Sequence, residues 1–168
     1  MLSFHPLTRL ANIFGVLLLL LAASPAHAEE GAILSVRIEG VAPEGGTIRV
    51  GIYLKSEYDK NTTIAVVSLN IPATPPVQEE TFAEVPPGIY AVQVYQDINS
   101  NGHMDFDWAG LPVEPYGFSR DATPLIGKPD FTRAQVSLAP GKNFLVIHLQ
   151  NTGHHHAARV SAEGHTDR

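Results

Sequence analysis

From Ile33 onward the chain alternates apolar and polar residues with a period of two, the spacing of a half-buried β-strand and not of a helix. In the first such run Leu34, Val36 and Ile38 share one face. Turns rich in proline and glycine separate the runs. Strands are predicted at 33–39, 48–54, 64–71, 77–82, 90–97, 134–138 and 143–150. About seven short strands without an amphipathic helix predict an all-β fold, a single antiparallel β-sandwich of the immunoglobulin-like or prealbumin-like kind.

Residues 98–133 interrupt this pattern with glycines, prolines, aromatic residues and carboxylates. Loops longer than about 15 residues in compact domains are usually functional or disordered. Apolar residues within the segment favour one long ordered loop packed on the sandwich. Trp108, Tyr116 and Phe118 would then either pin the loop to the sandwich or form an aromatic platform for a sugar, a lipid or an apolar partner.

The first 28 residues have the pattern of a secretory signal peptide: Arg9, an apolar run over 13–23, and the small residues Ala26 and Ala28 at a cleavage site. The apolar run is about half the roughly 20 residues that a membrane-spanning helix needs. We therefore expect cleavage, no membrane span, and export to the periplasm or medium. The β-sandwich domain is predicted at 29–151, followed by a flexible tail at 152–168 whose residues His154–His156 would bind metals adventitiously.

The chain has 168 residues, no cysteine and a net charge of −6. The lack of cysteine excludes thiol nucleophiles, disulfides and zinc sites with thiolate ligands. Without a basic stripe, the acidic balance argues against nucleic acid as a partner. A protein, a small molecule or a carbohydrate is the expected partner instead.

The segment from Asp97 to Asp107 places oxygen-bearing side chains at positions 1, 3, 5 and 9 of a tight turn, with Gly102 at position 6. This spacing is typical of calcium loops, in which alternate side chains point toward the ion. The EF-hand pattern has glutamate at position 12, where this chain has Trp108. The candidate calcium ligands are the side chains of Asp97, Asn99, Asn101 and Asp105 and the carbonyl of His103, with Asp107 or Glu114 completing the shell.

A hairpin without metal is the alternative, because Asn101-Gly102 is itself a strong turn signal. Asp105 and Asp107 favour calcium, since carboxylates gathered near one turn repel each other unless a cation or hydrogen bonds compensate them. The missing glutamate lowers the expected affinity to the range of extracellular modules, a dissociation constant of about 0.1 to 1 mM.

Two segments carry a family resemblance: residues 86–105, PPGIYAVQVYQDINSNGHMD, and residues 110–119, GLPVEPYGFS. Together they closely resemble the bacterial exported family of domain of unknown function 2141 (DUF2141), with EPYGFS the most specific part. Members commonly have histidine where this chain has Gln96, which argues against a histidine ligand there. The start of the 90–97 strand is also similar to transthyretin-like and carboxypeptidase-regulatory-like sandwiches. The resemblance implies a small exported β-sandwich and no established reaction.

The sequence is compatible with three functions. The first is a non-enzymatic exported sandwich with a calcium-stabilised loop that presents a surface to a ligand or partner. The second is a hydrolase that uses carboxylates of the 105–121 loop, such as Glu114 and Asp121; Ser119, Asp121 and His148 also include the residue types of a hydrolase triad. The third is a carrier that takes a small hydrophobic ligand between its sheets.

Overall fold

The structure, a computed structural model, describes residues 30–60, 64–123 and 127–150. The predicted signal peptide at 1–28 and the predicted tail at 152–168 lie outside the described residues. Within the described ranges, none of the helices is long and apolar enough to cross a membrane.

Eight strands, two short α-helices and one 3-10 helix make up the described fold. The strands are β1 (Ala32–Glu39), β2 (Thr47–Tyr53), β3 (Val67–Pro72), β4 (Val77–Val85), β5 (Gly88–Asp97), β6 (Tyr116–Phe118), β7 (Gln135–Leu138) and β8 (Gly141–His148). The helices are α1 (Lys55–Asp59), the 3-10 helix (Ser119–Asp121) and α2 (Phe131–Ala134). At four and five residues the α-helices are too short to produce a helical pattern in the sequence.

The strands form two sheets, so the all-β sandwich prediction is confirmed. The smaller sheet has the order β4-β1-β8; the larger has the order β3-β2-β5-β6, with β7 also paired to β5. The prediction of an entirely antiparallel sandwich is wrong in one place, because β1 and β8 pair in parallel, with Ala32 opposite Gly141 and Glu39 opposite His148. A period of two is the same in both strand directions, so the alternation could not reveal this.

The main core lies between the two sheets and follows the predicted faces. Leu34 of β1, Ile48 and Ile52 of β2, and Val92 and Val94 of β5 are all buried in it. A second buried cluster lies on the opposite face of β5 and includes Tyr58, Ala91, Tyr116, Phe118, Ala122, Phe131 and Ala134. This second cluster anchors the segment that follows β5.

The predicted long loop at 98–133 is only partly a loop. It contains β6 and the 3-10 helix, and α2 begins near its end. Tyr116 and Phe118 are buried and pack edge to face, with ring centroids 6.0 Å apart. Trp108 is 98% exposed, so an aromatic platform shared by these three residues does not exist. Two of them anchor the segment to the sandwich, and the third points into solvent.

Candidate functional site

Asp97 ends strand β5, and its carboxylate is fully buried. Arg49 on neighbouring β2 donates from Nε to Asp97 Oδ2 at 2.7 Å. The backbone N–H groups of Asn101 and Gly102 donate to Oδ1 at 3.0 Å and to Oδ2 at 2.8 Å. The turn therefore folds back over the carboxylate at the end of its own strand.

These donors decide the ionisation of Asp97. Burial by itself would raise its pKa, but the Arg49 guanidinium and the two backbone N–H groups outweigh burial and hold the pKa below its ordinary value. The carboxylate is thus charged and compensated inside the protein at neutral pH. Asp97 supports the loop from within.

Glu114 is a second buried carboxylate, only 3% exposed, on the returning side of the loop. Its Oε1 accepts the Ile98 N–H at 2.9 Å, and its Oε2 accepts the Asp105 N–H at 3.1 Å. The Glu114 side chain therefore links Ile98, at the start of the turn, to Asp105, at its end. Both of its oxygens have backbone partners, so its carboxylate holds the turn together.

Three side chains converge on the solvent side of the turn. Asn99 Nδ2 lies 2.7 Å from Asp105 Oδ2, and Asn101 Nδ2 lies 3.1 Å from both oxygens of Asp105. The amide oxygen of Asn99 accepts the Asn101 N–H at 3.0 Å, and that of Asn101 accepts the His103 N–H at 2.8 Å. This convergent cluster of Asn99, Asn101 and Asp105 consists of two amides and one carboxylate.

The other predicted ligands lie apart from that cluster. The carboxylate of Asp107 caps the next turn, accepting the N–H groups of Ala109 and Leu111 at 2.9 Å each. His103 is exposed and reaches the cluster through its backbone N–H. The described residues contain no group of three or more His, Asp or Glu side chains placed to hold a metal ion. That result does not bear on the convergent cluster, which holds a single carboxylate.

Sequence reasoning missed two residues that build this site, Arg49 and Gln96. Gln96 is fully buried and accepts the Ala42 N–H at 2.8 Å while donating to the carbonyls of Ala42 and Gly45 at 2.9 and 2.7 Å. It therefore fastens the β1–β2 connection to the end of β5. The available signal for Gln96 is its place on the same alternating face as Val92 and Val94, whereas Arg49 could be found only with the strand register.

The residue types of a hydrolase triad do not come together. His148 Nδ1 lies 2.8 Å from Asp121 Oδ2, but Ser119 is buried elsewhere. Its Oγ accepts the Val92 N–H at 2.9 Å and donates to the Ala134 carbonyl. β7 pairs with β5 up to Ala91 and β6 pairs with β5 from Gln93, so neither strand reaches Val92. The Ser119 hydroxyl supplies the hydrogen-bond partner of Val92 in this gap. Ser119 therefore has a structural position.

The groove and the core of the described residues do not support the hydrolase or the carrier hypothesis. A shallow groove on the outer face of the small sheet is lined by Ile33, Ser35, Thr81, Lys142, Asn143 and Phe144. None of these is a carboxylate of the 105–121 loop. The space between the sheets is filled by apolar side chains of both sheets, including Phe82 and Tyr90, in mutual contact.

Residues 36–144 match the model of a protein family described as an uncharacterized protein conserved in bacteria (DUF2141). No match was found among curated proteins or among solved structures, so the broader resemblance to transthyretin-like sandwiches gains no support. The matched range is more than half of the chain and includes Arg49, Asp97, the convergent cluster and Glu114. The chain therefore belongs to the DUF2141 family of bacterial proteins.

Proposed function

We propose that this protein is an exported, non-catalytic β-sandwich in which calcium stabilises the 97–114 loop and the loop presents a surface to a ligand or partner. The observation that carries the proposal is the convergence of Asn99 and Asn101 on Asp105, whose carboxylate oxygens lie 2.7 to 3.1 Å from the two amide nitrogens on the solvent side of the turn. Amide and carboxylate oxygens are the hard ligands that calcium takes in proteins.

The donor set fits a weak calcium site. Calcium would compete with the two amide groups for the Asp105 carboxylate, and the amide oxygens of Asn99 and Asn101 each retain a second lone pair. Asp97 supports the same turn from inside, where Arg49 already compensates its charge. A single half-buried carboxylate with amide partners matches the low affinity expected of extracellular calcium modules, about 0.1 to 1 mM.

Calorimetric unfolding with calcium and with chelator tests the proposal. An ion that binds only the folded state at that affinity adds about 1.4 to 2.7 kcal/mol of stability at about 10 mM calcium. We expect the unfolding midpoint to rise with calcium concentration in the unmodified protein. Magnesium at equal concentration should act less, because it demands a stricter octahedral geometry.

Two matched charge neutralisations separate binding from loop folding. Asp105→Asn removes the carboxylate of the convergent cluster, so the variant should lose the calcium-dependent rise. Asp107→Asn removes a charge two residues away but keeps an oxygen for the capping hydrogen bonds, so the rise should persist. If calcium at several millimolar leaves the midpoint of the unmodified protein unchanged, the loop is a hairpin without metal and the calcium part of the proposal is wrong.

Export is the part of the proposal that rests on the leader alone. The charged start, apolar run and small-residue cleavage site of residues 1–28 support it. N-terminal sequencing of the protein from the periplasmic fraction should give Glu29 as the first residue. Recovery of the uncleaved chain from the cytoplasm would refute export and leave the calcium proposal to stand or fall separately.

A further inference from the structure

The segment that follows the convergent cluster exposes an unusual concentration of apolar surface. Trp108 is 98% exposed, Phe106 59%, Leu111 55% and Val113 43%. We call these four residues the apolar tip. Tryptophan is costly to leave in water, and it is enriched at protein interfaces and at membrane–water interfaces. The apolar tip lies within the 97–114 loop, for which the proposed function names no specific ligand or partner, so the inference that follows rests on the surface role proposed for that loop.

The backbone of the apolar tip is a closed turn. Asp107 N–H donates to the Leu111 carbonyl at 2.9 Å, Gly110 N–H to the Asp107 carbonyl at 3.0 Å, and Val113 N–H to the Asp105 carbonyl at 3.0 Å. The Asp107 carboxylate accepts two further N–H groups of the same turn. These five N–H donors are satisfied within the turn, so they add no penalty for unpaired donors when the turn leaves water.

The apolar tip is too small for a stable protein interface. Its four side chains offer about 500 Å² at most, judged from the area of aromatic side chains, whereas a stable interface covers about 800 Å² on each partner. A patch of this size still lies in the range that is often functional on a monomer. An occupant that gains from a few buried side chains is therefore favoured.

The apolar side chains also lie on more than one side of the turn. Phe106 lies opposite Pro112 in an isolated antiparallel bridge, and the next residue, Asp107, is hydrogen-bonded to Leu111. Successive residues of an extended chain point to opposite faces, so Phe106 and Leu111 are on opposite faces of the turn. Trp108 is at the turn between them. One flat partner surface cannot cover both faces, but a fluid apolar medium surrounds them.

We propose that the apolar tip inserts into the boundary between headgroups and acyl chains of a phospholipid bilayer. Charge selects the lipid, because Asp105 precedes the apolar tip and Asp107 lies between Phe106 and Trp108, and both carboxylates would be repelled by an anionic surface. Lipids without net charge are therefore the preferred partner. The inference does not depend on calcium, since no residue of the apolar tip belongs to the convergent cluster.

Trp108 is the single tryptophan of the sequence, so its fluorescence reports on the apolar tip directly. The full protein is mixed with phosphatidylcholine vesicles in the presence of chelator. We expect the emission to shift to shorter wavelength as lipid is added, and brominated lipid to quench it. Vesicles rich in phosphatidylglycerol should give a weaker shift at low ionic strength. No shift and no quenching with phosphatidylcholine would overturn the proposal.

Leu111→Asp keeps the fluorophore and adds charge beside it. We expect its partition onto phosphatidylcholine vesicles to fall at least about tenfold, because the exposed half of the leucine side chain no longer gains from burial and the new carboxylate is costly to remove from water. Phe144→Ala, at a residue 61% exposed on β8, is the matched control and should leave partition unchanged. Equal loss in both variants, or an emission shift that grows with protein concentration without lipid, would overturn the proposal in favour of self-association.

Discussion

Arg49→Met tests whether the 97–114 loop depends on a compensated charge inside the protein. Arg49 makes the only salt bridge of the Asp97 carboxylate within the described ranges, with N–O at 2.7 Å, and Asp97 is fully buried. Methionine keeps much of the arginine stem but removes the donor and the positive charge. The variant would retain a buried carboxylate held by two backbone N–H groups alone.

Removing one partner of a buried ion pair costs about 3–5 kcal/mol. The lower end applies here, because the Arg49 side chain is 22% exposed and two N–H donors remain on Asp97. We therefore expect a loss of about 3 kcal/mol at pH 7. For a domain of this size that corresponds to a fall of about 12 °C in the unfolding midpoint.

The pH dependence gives the sharper test. In the unmodified protein the lowered pKa of Asp97 contributes stability that is present above its ordinary pKa and is lost as the pH falls through the lowered value. In Arg49→Met only the two backbone N–H donors oppose the effect of burial on Asp97, so its pKa rises. Protonation then removes the uncompensated buried charge that destabilises the variant. The stability difference between the two proteins should therefore narrow as the pH is lowered from 7 toward 4.

Arg37→Met is the matched control, because Arg37 Nε also lies 2.7 Å from a carboxylate, that of Glu39, but at a much more exposed pair. Exposed pairs contribute little, so this variant should unfold close to the unmodified protein. Thermal unfolding followed by circular dichroism between pH 4 and 7 measures all three proteins. Equal effects of the two substitutions, or a difference independent of pH, would refute the account of a compensated buried charge.

Four further substitutions probe the elements around the site by thermal unfolding. Gly46→Ala should destabilise the fold severely, because the φ of Gly46 is +86° and an added Cβ would lie 2.6 Å from the Ile98 Cα. Gly45→Ala, at φ +79° with open space around it, should cost only about 1–2 kcal/mol of stability. Equal losses of stability in the two variants would contradict this reasoning. Glu114→Gln should cost about 1–3 kcal/mol of stability, because an amide leaves one of the two backbone N–H groups without an acceptor. Unchanged stability would show that these two hydrogen bonds are dispensable. Ser119→Ala should cost a similar amount, and a loss of hydrolytic activity at unchanged stability would contradict its structural position.

Much of the fold follows from the alternation of side chains. Strands were predicted to end at Asp97 and to cover 134–138, and the structure has them at Gly88–Asp97 and Gln135–Leu138. Alternation identifies faces well because it measures burial on one side of a strand. It carries no information on strand direction or register, so the parallel β1–β8 pair was missed.

The candidate site could be predicted only in part for the same reason. The spacing of Asn99, Asn101 and Asp105 along one turn is local, and these side chains do converge. The partner of Asp97 is not local, because Arg49 is brought to it by the pairing of β2 with β5. The Asp97 carboxylate was therefore predicted to point into the turn as a ligand without the arginine beside it.

The parallel pairing of β1 with β8 has a consequence for how this chain folds. β1 is the central strand of the small sheet, and its parallel neighbour is the last strand described, so the contact joins the two ends of the domain. Non-local strand pairing of this kind slows folding, because loop closure must precede the gain from the contact. Until β8 has been synthesised, β1 has only one of its two neighbours and one edge remains open. The small sheet is therefore completed last, and an exported chain that has not yet formed this contact stays closer to the extended polypeptide that passes a membrane.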